Sequence, residues 1–192
     1  MISFFVNIIV LAGWAVVMVW NAMTFLESSP PSKNLLWLTL GCEIVTATEV
    51  VRIALGLLRG DLPLAVTVNG IRMLQWFVTF PKVPPLIVKI ILVAWSVTEV
   101  SRYPMVLFPK SQSLRLIRYA VPLITFPMGA GVEAYAAYLC VWIEKDKFIQ
   151  AMLVGCILVN VIGGIIWYPS MCKKVTKTLA GGDTDSKREK KQ

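Results

Sequence analysis

Histidine is absent from the 192-residue chain, and charged residues make up only 16% of it. Without imidazole there is no Ser–His nucleophile pair, no HExxH zinc site and no histidine-ligated haem. Cysteine is sparse too. Cys42, Cys140, Cys156 and Cys172 are scattered without CxxC spacing, which argues against a metal cage and against a disulfide framework. Acid–base chemistry is therefore left to Glu, Asp, Tyr, Lys, Ser or Thr. The shortage of charge is itself informative, because a soluble domain of this length carries more of it. What replaces it is apolar: 57% of residues are hydrophobic, in recurring runs of about 20, the length that crosses a bilayer core of roughly 30 Å. The fold class read from this pattern is all-α, a polytopic membrane protein built as a six-transmembrane-helix bundle.

The breaks between runs are chemical. "ESSPPSKN", "RGD", "FPKVPP", "PKSQS" and "EKDK" separate spans predicted at about 2–23, 35–58, 62–80, 84–103, 115–143 and 148–169. The fifth is long and contains Pro122 and Pro127, which predicts a kinked or broken helix. The first run lacks a basic leader region, so it is expected to be retained rather than cleaved. The formal net charge of +8 concentrates in the tail, at Lys173, Lys174, Lys177, Lys187, Arg188, Lys190 and Lys191. No base-stacking aromatic is interleaved with these cations, so they read as a topology signal and not as a nucleic-acid surface. On this reading residues 1–172 are one domain, 173–192 are a disordered basic tail, and both termini are cytosolic.

The informative residues are charges at membrane depth. Glu43, Glu49, Glu99 and Glu133 fall within predicted spans, as do Arg52, Arg72, Arg102 and Arg118. Each mid-helix charge costs about 2.5–3.5 kcal/mol on insertion scales, so the chain must gather them in a protein-lined interior. Glu49 with Arg52, and Glu99 with Arg102, stand three apart and can pair locally. Arg102, Lys110, Arg115 and Arg118 surround the fourth connection, where they either mark the cytosolic side or meet an anionic ligand. Glu133 has no basic residue three or four positions away. Its carboxylate must be satisfied across the bundle, and the nearby Pro127, Gly129 and Gly131 leave backbone groups that are tolerated only against protein or a cavity. Acid and irregular backbone together mark a candidate pocket for proton transfer.

Several stretches carry a wider likeness: Asn7 with "GW" at Gly13–Trp14, "EVVRIALGLLRGDLP" followed by Arg72, "AWSVTEVSRYP", and "LIRYAVPLITFPMGAGVE". Together they resemble the 3-hydroxyacyl-CoA dehydratases, also called protein-tyrosine-phosphatase-like or PTPLA proteins, over nearly all of the chain except the tail. The resemblance implies a six-helix enzyme of the endoplasmic reticulum membrane. Such an enzyme takes water from a long-chain (3R)-3-hydroxyacyl-CoA to give the trans-2-enoyl-CoA during fatty-acid elongation. It also implies lipid and other elongation enzymes as partners. Eliminating water changes no oxidation state, so no metal or redox cofactor is required. The family pair is a Tyr and a Glu arranged Tyr-Pro-x-Gly-x-x-x-Glu. Matched residue by residue, the Glu is Glu133, the Gly is Gly129, the Pro is Pro127, and the Tyr position holds Phe126.

Phenylalanine keeps the ring and loses the proton donor. Three outcomes follow: Glu133 performs both transfers, another hydroxyl such as Tyr119, Tyr135 or Thr125 substitutes, or the chain is a weakened or inactive member acting as a scaffold. Arg72, Arg102 and Arg118 are candidates for orienting the pocket or meeting CoA phosphates, and Glu49 is a further candidate at the substrate site.

Overall fold

A computed structural model of the chain describes residues 2–27, 29–57, 61–108 and 111–179. Lys110 and the cations Lys187, Arg188, Lys190 and Lys191 singled out above lie outside the described residues. Among the described residues there are six α-helices: α1 (Ile2–Met23), α2 (Lys33–Ala54), α3 (Leu62–Leu74), α4 (Pro85–Leu107), α5 (Gln112–Val141) and α6 (Lys147–Leu179). α3 continues into a π-helical turn, Gln75–Thr79. The chemical breaks act as caps. The Ser32, Asp61 and Ser111 side chains accept from the amides of Leu35, Leu64 and Leu114 at the starts of α2, α3 and α5. Pro85 opens α4 where a missing amide costs nothing. Asp146 Oδ1 accepts from the amides of Phe148 and Ile149 in the first turn of α6.

Two expectations are corrected. Of the kinked or broken helix expected, the break is absent: α5 is continuous through Pro122 and Pro127, because each proline removes a single amide and neighbouring helices hold the turn in place. α6 continues to Leu179, so Lys173, Lys174 and Lys177 extend a helix where a disordered tail was expected from 173 onward.

The helices close into a ring. α1 packs on α2 and α4, α4 on α5, α5 on α6, and α2 on α3, while α3 and its π turn reach α6 and α5. Four helices, α1, α2, α5 and α6, are long and apolar enough to cross a membrane. α4 is of similar length but carries Lys89, Glu99 and Arg102. The outward faces are greasy, with Phe5, Ile9, Phe77, Ile124 and Ile165 exposed. The polar residues turn inward, as a bilayer demands.

Packing is close where side chains are small. The register between antiparallel α4 and α5 is fixed by Ala94 against Gly129, the Thr98–Thr125 hydroxyl pair at 2.8 Å, and Arg118 Nη1 donating to Met105 Sδ. At one end of the ring Lys82 pairs with Glu144, tying the α3–α4 connection to the α5–α6 connection. That hydrogen bond holds the Glu144 carboxyl below the usual carboxylate range. At the same end buried Lys89 donates to the carbonyls of Thr24 at 2.6 Å and Glu27 at 2.7 Å, placing a cation on the C-terminal dipole of α1.

A Cβ at Gly13 would lie 2.6 Å from the Sγ of buried Cys42 on α2. Gly13→Ala is therefore expected to destabilise the α1–α2 pair by about 1–3 kcal/mol through overpacking. Adding Cys42→Ala is expected to recover most of that loss, since it vacates the contested volume. Thermal unfolding in detergent of the two single variants and the double variant measures both.

Candidate functional site

Six side chains from α2, α3 and α4 form a continuous ionic chain inside the ring. Arg72 Nη1 lies 2.9 Å from Glu43 Oε1 and 2.8 Å from Glu99 Oε1. Arg102 Nη2 lies 2.8 Å from Glu99 Oε2, and Arg102 Nη1 lies 3.0 Å from Glu49 Oε2. The Tyr103 hydroxyl donates to Glu49 Oε1 and accepts from Arg102, each at 3.0 Å. The expected Glu99–Arg102 pair on one helix is present. Glu49 also finds a cross-helix partner in Arg102, which spacing along α2 does not announce.

Glu133 stands apart from this chain but is coupled to it. Its Oε1 accepts from Trp95 Nε1 at 2.6 Å, across the α4–α5 contact. The indole is fixed on both sides: the Arg72 guanidinium sits 5.3 Å from its centroid and Phe80 stacks on it at 5.6 Å. The main chain of Glu133 is held as well. Gln75 Nε2 donates to its carbonyl at 3.0 Å and contacts Cys156 Sγ at 3.5 Å, linking three helices at the π turn. Insertions of this kind re-aim side chains at functional positions. Asn160 of α6 stands against the same carboxylate. Glu133 is buried, with 8% of the residue exposed.

Beside it a membrane-facing groove of about 480 Å³ runs between α5 and α6. Phe126, Ala130 and Ala134 line one wall, Asn160, Gly164 and Tyr168 the other. Glu133 is not on the wall itself. Its chain neighbour Ala134 is, and so is Asn160, which contacts the carboxylate.

The structure sorts the remaining sequence candidates. Phe126 faces the groove, its Cζ 3.6 Å from where a Cβ on Gly163 would stand. Gly129 is a contact glycine: a Cβ there would be 3.1 Å from Ala94 Cβ, so its place is the α4–α5 seam. Arg72 and Arg102 are committed to carboxylates, and Arg72 is buried. Arg118 is half-buried and donates to a sulfur, with no carboxylate in ion-pair reach among the described residues. Tyr119 lies beside Arg118, two turns before Phe126, and is not part of the groove. Tyr135 is exposed on the outer face of α5. Thr125 is occupied by Thr98. Sequence reasoning missed Trp95, Gln75, Asn160 and Tyr168. Asn160 carried a usable signal, a lone amide within an apolar run, with Gly164 and Tyr168 following at helical spacing on one face.

A family model described as protein tyrosine phosphatase-like protein, PTPLA, matches residues 43–181. No curated protein and no solved structure matches the chain.

Proposed function

The chain belongs to the protein tyrosine phosphatase-like family, PTPLA, which is the 3-hydroxyacyl-CoA dehydratase family, and from that membership we propose that it eliminates water from very-long-chain (3R)-3-hydroxyacyl-CoA to give the trans-2-enoyl-CoA. The observation that carries the reading is Glu133. Among the described residues this acid has no cation within ion-pair distance, and it is held by Trp95 and by Asn160, which lines the adjoining groove. Elimination needs a base at the carbon next to the thioester carbonyl, and Glu133 has the chemistry and the setting for it. The acyl chain would lie along the apolar groove. The CoA head would stay toward the end of the ring where α4 gives way to α5. Arg118 is a cation there with no carboxylate in ion-pair reach among the described residues, and it is the proposed phosphate contact. Arg72 and Arg102 are proposed as positioning residues, acting through Trp95 and through the ionic chain.

The wider setting belongs to the same proposal: six crossings, both termini cytosolic, residence in the endoplasmic reticulum, and association with other elongation enzymes. Phe126 favours a second reading, in which the fold persists as a non-catalytic scaffold for those enzymes. Purified protein in lipid nanodiscs, given 3-hydroxyacyl-CoA, separates the two. Enoyl-CoA formation is expected from the wild type. No product from the wild type, and none from Phe126→Tyr, would decide for the scaffold.

A further inference from the structure

We propose that Tyr168 is the second proton-handling residue of this site, giving its phenolic proton to the departing 3-hydroxyl; the inference rests on the dehydratase reading above. Water is a poor leaving group unless the oxygen is protonated as the carbon–oxygen bond breaks. Glu133 as the base begins the reaction without that proton, and Phe126 has none to give. Among the described residues that line the groove, one carries an ionisable hydroxyl. Tyr168 lines it from α6, facing the wall that Phe126 lines from α5.

Its placement suits the task. Asn160, Gly164 and Tyr168 recur every four residues on one face of α6, so the two polar members are separated by about 12 Å of helix rise. Helical side chains lean toward the N-terminus of their helix, which for Tyr168 is toward Gly164 and Asn160. Gly164 puts no side chain in the way. The lean of the Tyr168 side chain shortens that separation, which the reaction requires, because the C2 proton and the 3-hydroxyl sit on adjacent carbons. The Tyr168 hydroxyl makes no hydrogen bond to any described residue, so its proton is uncommitted. The other hydroxyls are placed elsewhere: Thr125 is paired, Tyr135 faces outward, and Tyr119 lies below the groove.

The step balances. The Glu133 carboxylate takes the C2 proton, the C2–H electrons form the C2–C3 double bond, and the C3–O pair leaves with the Tyr168 proton as water. Glu133 is then protonated and Tyr168 is a phenolate. A proton passed between them through water entering the emptied groove restores both, with no external acid, base or oxidant.

Tyr168→Phe removes one oxygen that bonds to no described residue, so melting in detergent is expected to be unchanged. Turnover of 3-hydroxyacyl-CoA is expected to fall about 10²-fold in kcat, with KM altered by less than about threefold. Adding Phe126→Tyr to Tyr168→Phe should raise the rate again by placing a phenol on the opposite wall. If Tyr168→Phe keeps its kcat while Glu133→Gln has lost turnover, the dehydratase reading stands and this assignment is overturned. If the wild type forms no enoyl-CoA at all, both fall.

Discussion

Glu133→Gln is expected to abolish nearly all enoyl-CoA formation, a loss toward the upper end of the 10²–10⁴ range for a positioned acid or base, while leaving the protein folded. The two halves of that expectation have different causes. Glutamine has the same shape as glutamate, and its amide oxygen still accepts the Trp95 Nε1–H that is 2.6 Å from Glu133 Oε1 in the native site. The bond from Gln75 goes to the main-chain carbonyl and is untouched. Packing and hydrogen bonding therefore survive. Basicity does not, because an amide oxygen cannot hold the proton taken from C2. Substrate binding should change little, so the loss should appear in kcat with KM nearly constant. Glu133→Asp supplies a useful intermediate. It keeps the carboxylate but withdraws it by one methylene from both indole and substrate, so partial activity is expected. Turnover by Glu133→Gln equal to that of the wild type would remove this residue from the chemistry, whatever the reaction is.

Why Glu133 was legible while its neighbours were not is a question of range. The cost of a lone carboxylate in an apolar helix is set by its own surroundings in sequence, and it can be seen without knowing what packs against it. The same holds for Glu99 and Arg102, which meet along a single helix turn. The six helices were legible because bilayer thickness fixes the length of an apolar run and Pro, Gly, Ser and Asp mark its ends. Trp95 was not, because an indole within an apolar run reads as core; its N–H matters only once α5 is known to pass beside α4. The pairing of Arg72 with Glu43 depends on two helices whose rotation the sequence does not state. Tyr168 was hidden for a similar reason, since facing Phe126 is a property of the α5–α6 register. Of the kink or break predicted for α5, the break is absent because a proline's local preference was overridden by neighbours. Gly129 lets α4 approach closely, and the Thr98–Thr125 bond clamps the segment between the prolines.

Arg72→Met is expected to be the most destabilising single change in the interior, at about 3–5 kcal/mol. Arg72 is the shared cation of Glu43 and Glu99, and all three side chains are buried. Inside the ring an ion pair is a poor source of net stability, because removing each charge from water offsets most of the attraction. Deleting one partner is a different matter, since the remaining charges keep their desolvation cost and lose their compensation. Glu99 would retain Arg102, 2.8 Å away. Glu43 has no second cation in reach among the described residues, and its Oε2 already lacks a hydrogen bond. Most of the loss should therefore come from Glu43. That makes the double variant decisive: Glu43→Gln with Arg72→Met removes both the cation and the carboxylate it leaves stranded, and it should be markedly more stable than Arg72→Met alone. Arg72→Lys should fall between wild type and Arg72→Met, because a single ammonium cannot match the guanidinium's planar fork toward two carboxylates. Activity should follow a separate order. Both Arg72→Met and the double variant lose the cation that steadies the Trp95 ring at 5.3 Å. Both should therefore show reduced kcat even where stability has been recovered, because the indole that orients Glu133 is freed on one face. Thermal unfolding in detergent together with kcat for the four proteins tests the whole scheme. Arg72→Met as stable as the wild type would mean that Glu43 and Glu99 are compensated without it, and the ionic chain would lose its place as the organiser of the interior.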